Sequence, residues 1–249
     1  MLPEFTTAQW LLGAFCAVLV GFSKTGISGL GILAIPLMAE IFPARESTGV
    51  LLPMLIVGDI MAVSFYRRDA LWSQLVRLLP WVMPGILLGY FALGWVNDSQ
   101  MRPILGWLIL VLLVLQIVRR WCGDWMEHKL PHTWWFAAVL AILAGFATML
   151  ANAAGPIMIM YFLAKKLPKK EFIGTSAWFY LIVNLIKVPF SGNQGLITGD
   201  HLLFNAWLAP VILTGAAVGY MILPKVPQKF FDRAVLALAF VASIRMILA

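Results

Sequence analysis

Gly21-Phe-Ser-Lys-Thr-Gly-Ile-Ser-Gly-Leu-Gly31 sets one lysine among four glycines, between two apolar arms at about 7–22 and 27–41. Each arm is too short for an ordinary membrane span. Helix-breaking residues persist in a bilayer where the freed backbone lines a protein cavity. A lysine at that depth costs roughly 2.5–3.5 kcal/mol on insertion scales, so a use for it is expected.

The rest of the chain agrees with a membrane setting. Of its 249 residues, 62% are hydrophobic and only 12% charged, against about 25% charged in a soluble domain. Apolar segments run from about Thr7 to Leu248, which leaves no soluble domain at either end and makes the chain an all-α polytopic membrane protein. The N-terminus lacks the basic stretch and small-residue site of a cleavable signal peptide. Cys16 and Cys122 form no CxxC pair, and His128, His132 and His201 lie outside HExxH spacing, so neither metal nor cofactor is expected. The net charge of +7 is confined to short loops, where it sets orientation in the lipid bilayer and does not mark a nucleic-acid surface.

A duplication organises the sequence. Gly21-Phe22 returns as Gly145-Phe146, and Gly31 as Gly155, at offset 124. Pro43, Glu46 and Gly49 return as Pro168, Glu171 and Gly174, and Asp59 falls on Asn184, at offset 125. Pro84 and Gly89 return as Pro210 and Gly215 at offset 126. The collinear matches define two halves, 1–124 and 125–249. In the second half the arms are about 133–149 and 152–163. Three fuller segments follow in each half: about 46–66, 76–95 and 102–119, then 171–190, 203–222 and 231–248. The total is eight to ten membrane segments. The run Thr133–Ala164 carries no charge over 32 residues. As one helix it would be about 48 Å long against about 30 Å of hydrocarbon, so it must break, and Asn152 to Pro156 is the place.

Orientation follows from the loops. Thirteen of the eighteen basic residues sit in four of them: Arg67, Arg68 and Arg77; Arg119, Arg120 and Lys129; Lys165, Lys166, Lys169 and Lys170; Lys225, Lys229 and Arg233. Positive-inside places these loops in the cytoplasm. The loop at 43–46 is then external and its equivalent at 164–171 cytoplasmic, so the repeats are inverted and both termini external. Each half has five crossings, or three plus a re-entrant hairpin. Inverted repeats with broken segments at matching positions mark secondary transporters, with the substrate site near the midplane. Residues 23–31 and 150–156 are expected to be non-helical tips that meet there.

Free backbone N–H groups, a helix N-terminus and a cation together make an anion site. Candidate contacts in the first tip are Ser23, Lys24, Thr25, Gly26, Ser28 and Gly29; the second tip offers Thr148, Asn152 and Ala153. Lys24 could instead snorkel or pair with Asp59. The glycines could serve helix packing. Asn152 could cap the short helix that follows it. Thr148 is the equivalent of Lys24, so the expected site has one cation. Asp59, the only acid in its segment, is the candidate proton carrier or the counter-ion of Lys24. Lys187 reads as a snorkelling residue near an external helix end. Most tryptophans, among them Trp72, Trp81, Trp95, Trp121, Trp134 and Trp135, read as an interfacial belt, and Trp178 as a neighbour of the site.

The segment from Gly21 through Gly31 to Pro36 resembles the signature of the TauE/SafE family of sulfite and sulfonate exporters. The likeness extends to the length, the duplication, Asn152-Ala-Ala-Gly-Pro156 and the apolar end. It implies a bacterial inner-membrane exporter of a small sulfur-containing anion, such as sulfite or an organosulfonate, coupled to the proton gradient. An anion channel is the alternative. An intramembrane enzyme is the weaker one, since no GxSxG, HExxH or cofactor motif is present. Association into a homo-oligomer is left open.

Overall fold

Trp134–Ala151 and Gly155–Ala164 are separate helices, so the long uncharged run breaks at 152–154. This computed structural model describes residues 5–25, 30–121, 133–222 and 228–248. Ten α-helices occupy them: α1 Thr7–Thr25, α2 Ala34–Met38, α3 Ala44–Tyr66, α4 Trp72–Trp95, α5 Asp98–Trp121, α6 Trp134–Ala151, α7 Gly155–Ala164, α8 Lys169–Asn193, α9 Gly199–Ile222 and α10 Gln228–Leu248. A 3₁₀ turn, Leu30–Leu33, leads into α2. Among the described residues, seven helices (α1, α3, α4, α5, α6, α8 and α9) are long and apolar enough to cross a membrane.

The breaks are narrower than expected. Ser23, Lys24 and Thr25 form the last turn of α1, and α6 includes Leu150 and Ala151. Local chemistry explains both extensions. Ser23 Oγ donates back to the Val20 carbonyl at 2.9 Å, and Thr25 Oγ1 donates to the Ala216 carbonyl at 2.6 Å. A lysine in the last turn also faces the negative end of the helix dipole. The second arm of the first half is shorter than 27–41: its α-helical part is only the five residues of α2.

Helices five apart in this order stand at equivalent sequence positions, and their contacts repeat. α1 packs on α9 and α6 on α4; α3 packs on α8 and α5 on α10. Glycine governs the first two crossings. A methyl group built on Gly21 would sit 2.1 Å from the Ile212 carbonyl oxygen, and one on Gly145 would sit 2.3 Å from that of Val82. Small residues let membrane helices approach this closely. Pro43 and Pro168 open α3 and α8 with nearly the same backbone, φ/ψ −47°/141° and −53°/147°.

The connections gather at two ends. At one, the Arg45 backbone N–H donates to Asp98 Oδ1 at 2.9 Å, Arg45 Nη2 donates to Gln194 Oε1, and the Phe42 ring meets His201. At the other, the Leu71 N–H donates to Thr175 Oγ1 at 2.9 Å and the Tyr161 hydroxyl to Gln74 Oε1 at 2.6 Å. Arg67, Arg68, Lys165, Lys166 and Lys170 belong to this second, basic end. Trp72, Trp95, Trp121 and Trp134 stand exposed at helix ends, as an interfacial belt requires.

Candidate functional site

Asp59 lies near the middle of α3 and is fully buried. Asn184 occupies the same place on α8. Where the two helices cross, Asn184 Nδ2 donates to Asp59 Oδ2 at 2.7 Å. The other carboxylate oxygen, Oδ1, lies 2.7 Å from Lys24 Nζ. Lys24 reaches it from the end of α1, its stem passing Gly58, where an added methyl would meet Lys24 Cγ at 3.0 Å. The ammonium also sits 4.8 Å from the centroid of the Tyr180 ring, a cation–π contact.

The cluster holds a second lysine. Lys187, one helical turn beyond Asn184, is 1% exposed. Its Nζ donates to Thr148 Oγ1 at 3.2 Å, to Asn184 Oδ1 at 3.4 Å and to Asn152 Oδ1. These three acceptors match the three donors of an ammonium group. Snorkelling is therefore the wrong reading of Lys187. The residue points inward across the helix pair, where polar side chains from α6 and its C-cap meet it.

Asn152 ends α6; it does not begin α7. Its backbone is left-handed, at φ 55° and ψ 29°, and its N–H donates to the Thr148 carbonyl at 2.9 Å. Asparagine tolerates that conformation better than most residues. Its side-chain Nδ2 donates to the Thr48 carbonyl on α3 at 2.8 Å, tying the break to the other half. The residue flanking the start of α7 is Ala154, which has no side chain to cap it. No described residue accepts the N–H of Ala154 or Gly155, and none bonds the Tyr180 hydroxyl. A methyl on Gly155 would sit 3.9 Å from that hydroxyl.

These groups border one cavity of about 120 Å³. Ser23, Lys24, Thr25, Asp59, Thr148, Asn152 and Ala153 all line it, so every candidate contact within the described residues is gathered there. Gly26, Ser28 and Gly29 lie outside the described residues. The Ser23 and Thr25 hydroxyl protons are already committed to carbonyls, which leaves Lys24 as the cationic donor at the cavity. Trp178 is not part of the lining. Its ring lies 5.0 Å from that of Trp72, tilted by 51°, and its Nε1 donates to the Arg67 carbonyl at 3.4 Å. Tyr180 and Ser176 line the cavity instead and were missed, as was Lys187 behind it. The signal was present: 176, 180, 184 and 187 recur at helical spacing on one face of α8, with the polar Asn184 among them.

The cavity has a direction. α2 packs along α3, but its equivalent α7 makes no comparable contact with α8. The cavity lies between α7, through Pro156 and Ile159, and α8, through Ile173 and Phe172 near the basic end. On α3 the corresponding stretch is buried, with Ser47 at 1% and Thr48 at 6% exposure.

Residues 13–246 match the family described as Sulfite exporter TauE/SafE, and the chain belongs to that family. No curated protein and no solved structure matches it. Membership makes the chain a multi-pass membrane transporter and not an enzyme.

Proposed function

We propose that this TauE/SafE family member is a secondary carrier that exports a small sulfur oxyanion, sulfite or an organosulfonate, across a bacterial inner membrane. The observation that carries the reading is the composition of the buried cluster. It holds two lysines, Lys24 and Lys187, but one carboxylate, Asp59, so that with both lysines protonated one positive charge is left over in a setting where an uncompensated charge is costly. One bound monoanion balances it. A cavity of about 120 Å³ is well below the roughly 300–1,000 Å³ of sites for drug-sized ligands, and so suits an ion of few atoms. Lys24, the Tyr180 hydroxyl and the N–H groups opening α7 are the donors for the anion oxygens, and the positive end of the α7 dipole adds to them. Asp59 is the proton carrier, because its carboxylate and the bound anion compete for the Lys24 ammonium, and a proton on Asp59 leaves Lys24 to the anion.

The two halves, 1–124 and 125–249, are inverted relative to each other in this reading, and both termini are external. Two observations support it. The start of α3 meets Gln194, Leu196 and His201 at one end, whereas the first turns of α8, its equivalent, meet Tyr66, Asp69 and Leu71 at the basic end. Equivalent helices also pair with equivalent partners. The cavity is then open toward the cytoplasm. On its other side the Asn152–Thr48 bond and the packed α2–α3 pair close the path, which favours a carrier with alternating access over a channel.

The test is sulfite flux in proteoliposomes. Saturable transport that responds to an imposed pH gradient is expected. Flux that is gradient-independent and linear in sulfite concentration overturns the carrier, and a protein that neither binds nor moves sulfite, sulfonates or related oxyanions overturns the substrate class.

A further inference from the structure

Lys187 is not reached by the cavity, and its position in the duplication says what it is for. On α3 the cavity is lined by Leu55, Asp59 and Ala62. Their equivalents on α8, at offset 125, are Tyr180, Asn184 and Lys187. Tyr180 and Asn184 line the same cavity; Lys187 does not. It is covered by Thr148 and Asn152, which belong to the end of α6 and its break.

We infer that Lys187 is a second substrate-binding cation, which meets the anion when the cavity opens to the end opposite the basic loops. This rests on the inverted-repeat carrier reading and extends it. In such a carrier the halves exchange conformations between the two states. α7 then closes on α8, as α2 now lies on α3, and α2 withdraws from α3. The new cavity runs past Ser47, Thr48 and Leu51, the equivalents of Phe172, Ile173 and Ser176. Ala62 leaves the lining and Lys187 enters it in its place.

The electrostatics agree. Lys24 is paired with a carboxylate, whereas the three acceptors of Lys187 are a hydroxyl and two amides. Lys187 is thus the lysine of the cluster that has no carboxylate beside it. When Asn152 and Thr148 move with the α6–α7 break, the ammonium exchanges neutral acceptors for anion oxygens, and charge-assisted bonds are the stronger kind. Each state thus offers the substrate a different lysine, with the Asp59–Asn184 pair shared by both.

Sulfite uptake into right-side-out and inside-out membrane vesicles separates the two faces. Lys187→Met should raise the sulfite KM about tenfold or more at the face opposite the basic loops, and change it less than about twofold at the basic face, a tenfold step being about 1.4 kcal/mol. Lys187→Arg should recover most of that loss, because the charge remains. Equal rises at both faces would make Lys187 a mere support of the break, and no rise at either would remove it from the substrate path; both overturn the inference. Should Lys187→Met fail to assemble, Thr48→Cys in a background with Cys16 and Cys122 replaced by serine gives a second reading. A membrane-impermeant maleimide should label it from the face opposite the basic loops, and sulfite should slow the labelling; an unlabelled Cys at 48 overturns the inference. Wild-type vesicles without saturable sulfite flux would remove the carrier reading itself, whereas saturable flux with a symmetric Lys187 effect removes only the present inference.

Discussion

Asn184 donates its side-chain amide to Asp59 at 2.7 Å, and the two residues are each other's equivalents, 125 positions apart in the two halves. Such a contact falls where two helices at equivalent sequence positions cross, and in the proposed inverted-repeat reading it lies on the axis relating the halves. A carboxylate on one side and an amide on the other make the pair complementary: one accepts, the other donates. The asymmetry gives the cluster a single titratable acid between two lysines.

Asp59→Asn tests the coupling. The amide can still meet Asn184, so the fold should survive. Lys24 loses its counter-ion but keeps access to cavity water and to the anion, so sulfite affinity should hold or rise. Exchange of sulfite across the membrane should continue while acceleration by a pH gradient disappears. Gradient-driven flux persisting in this variant would remove Asp59 from the proton path.

Lys24→Met removes the cation that lines the cavity and keeps most of the stem. Two charges about 4 Å apart attract by about 4 kcal/mol at an effective dielectric of 20. With part of that lost to the Asp59 carboxylate left unpaired, sulfite affinity should fall about a hundredfold, or roughly 2.7 kcal/mol. Titration calorimetry in detergent measures it. Unchanged affinity would mean that the α7 amides and Tyr180 suffice.

Gly21→Ala and Gly145→Ala each drive a methyl into a facing helix backbone, at 2.1 and 2.3 Å. Overpacking costs about 1–3 kcal/mol, which for a chain of this size lowers the melting temperature by roughly 2–12 °C. Gly192→Ala, where an added methyl meets nothing, should leave it unchanged. Thermal unfolding in detergent distinguishes the three.

Asn152 combines a left-handed backbone with two side-chain bonds. Asn152→Gly keeps the first and loses the second; Asn152→Ala loses both. The alanine variant should be the less stable by about 1–2 kcal/mol, the cost of that conformation for a residue with a Cβ. Equal stabilities would show that the turn rearranges without it.

A reporter fused to the C-terminus should lie outside the cytoplasm. Thirteen of eighteen basic residues in four loops set this expectation, together with the odd number of crossings per half. A cytoplasmic signal would overturn the proposed orientation, and with it the opening of the cavity toward the cytoplasm.

Membrane residence and the break at 152–154 were legible along the chain. Hydrophobicity, glycine and charge act locally or through loop composition, and a bilayer converts them directly into depth and side. For the same reason Lys24, Asp59 and Asn152 could be singled out: polar groups at apolar depth are visible in one dimension. Hydropathy does not fix the rotation of a helix about its axis, however. Lys187 could be placed near a helix end but not on an inward face, and Trp178 was assigned the face that Tyr180 occupies. The extension of α1 through Thr25 depends on the Ala216 carbonyl, 191 residues away, and the turn at Asn152 leans on Thr48 across 104 residues. The sequence alone determined which polar residues lie within apolar segments. Tertiary packing decided which of them touch, and on which side the cavity lies, because those depend on how α7 sits against α8 and α2 against α3, and nearly equivalent sequences pack differently at the two ends.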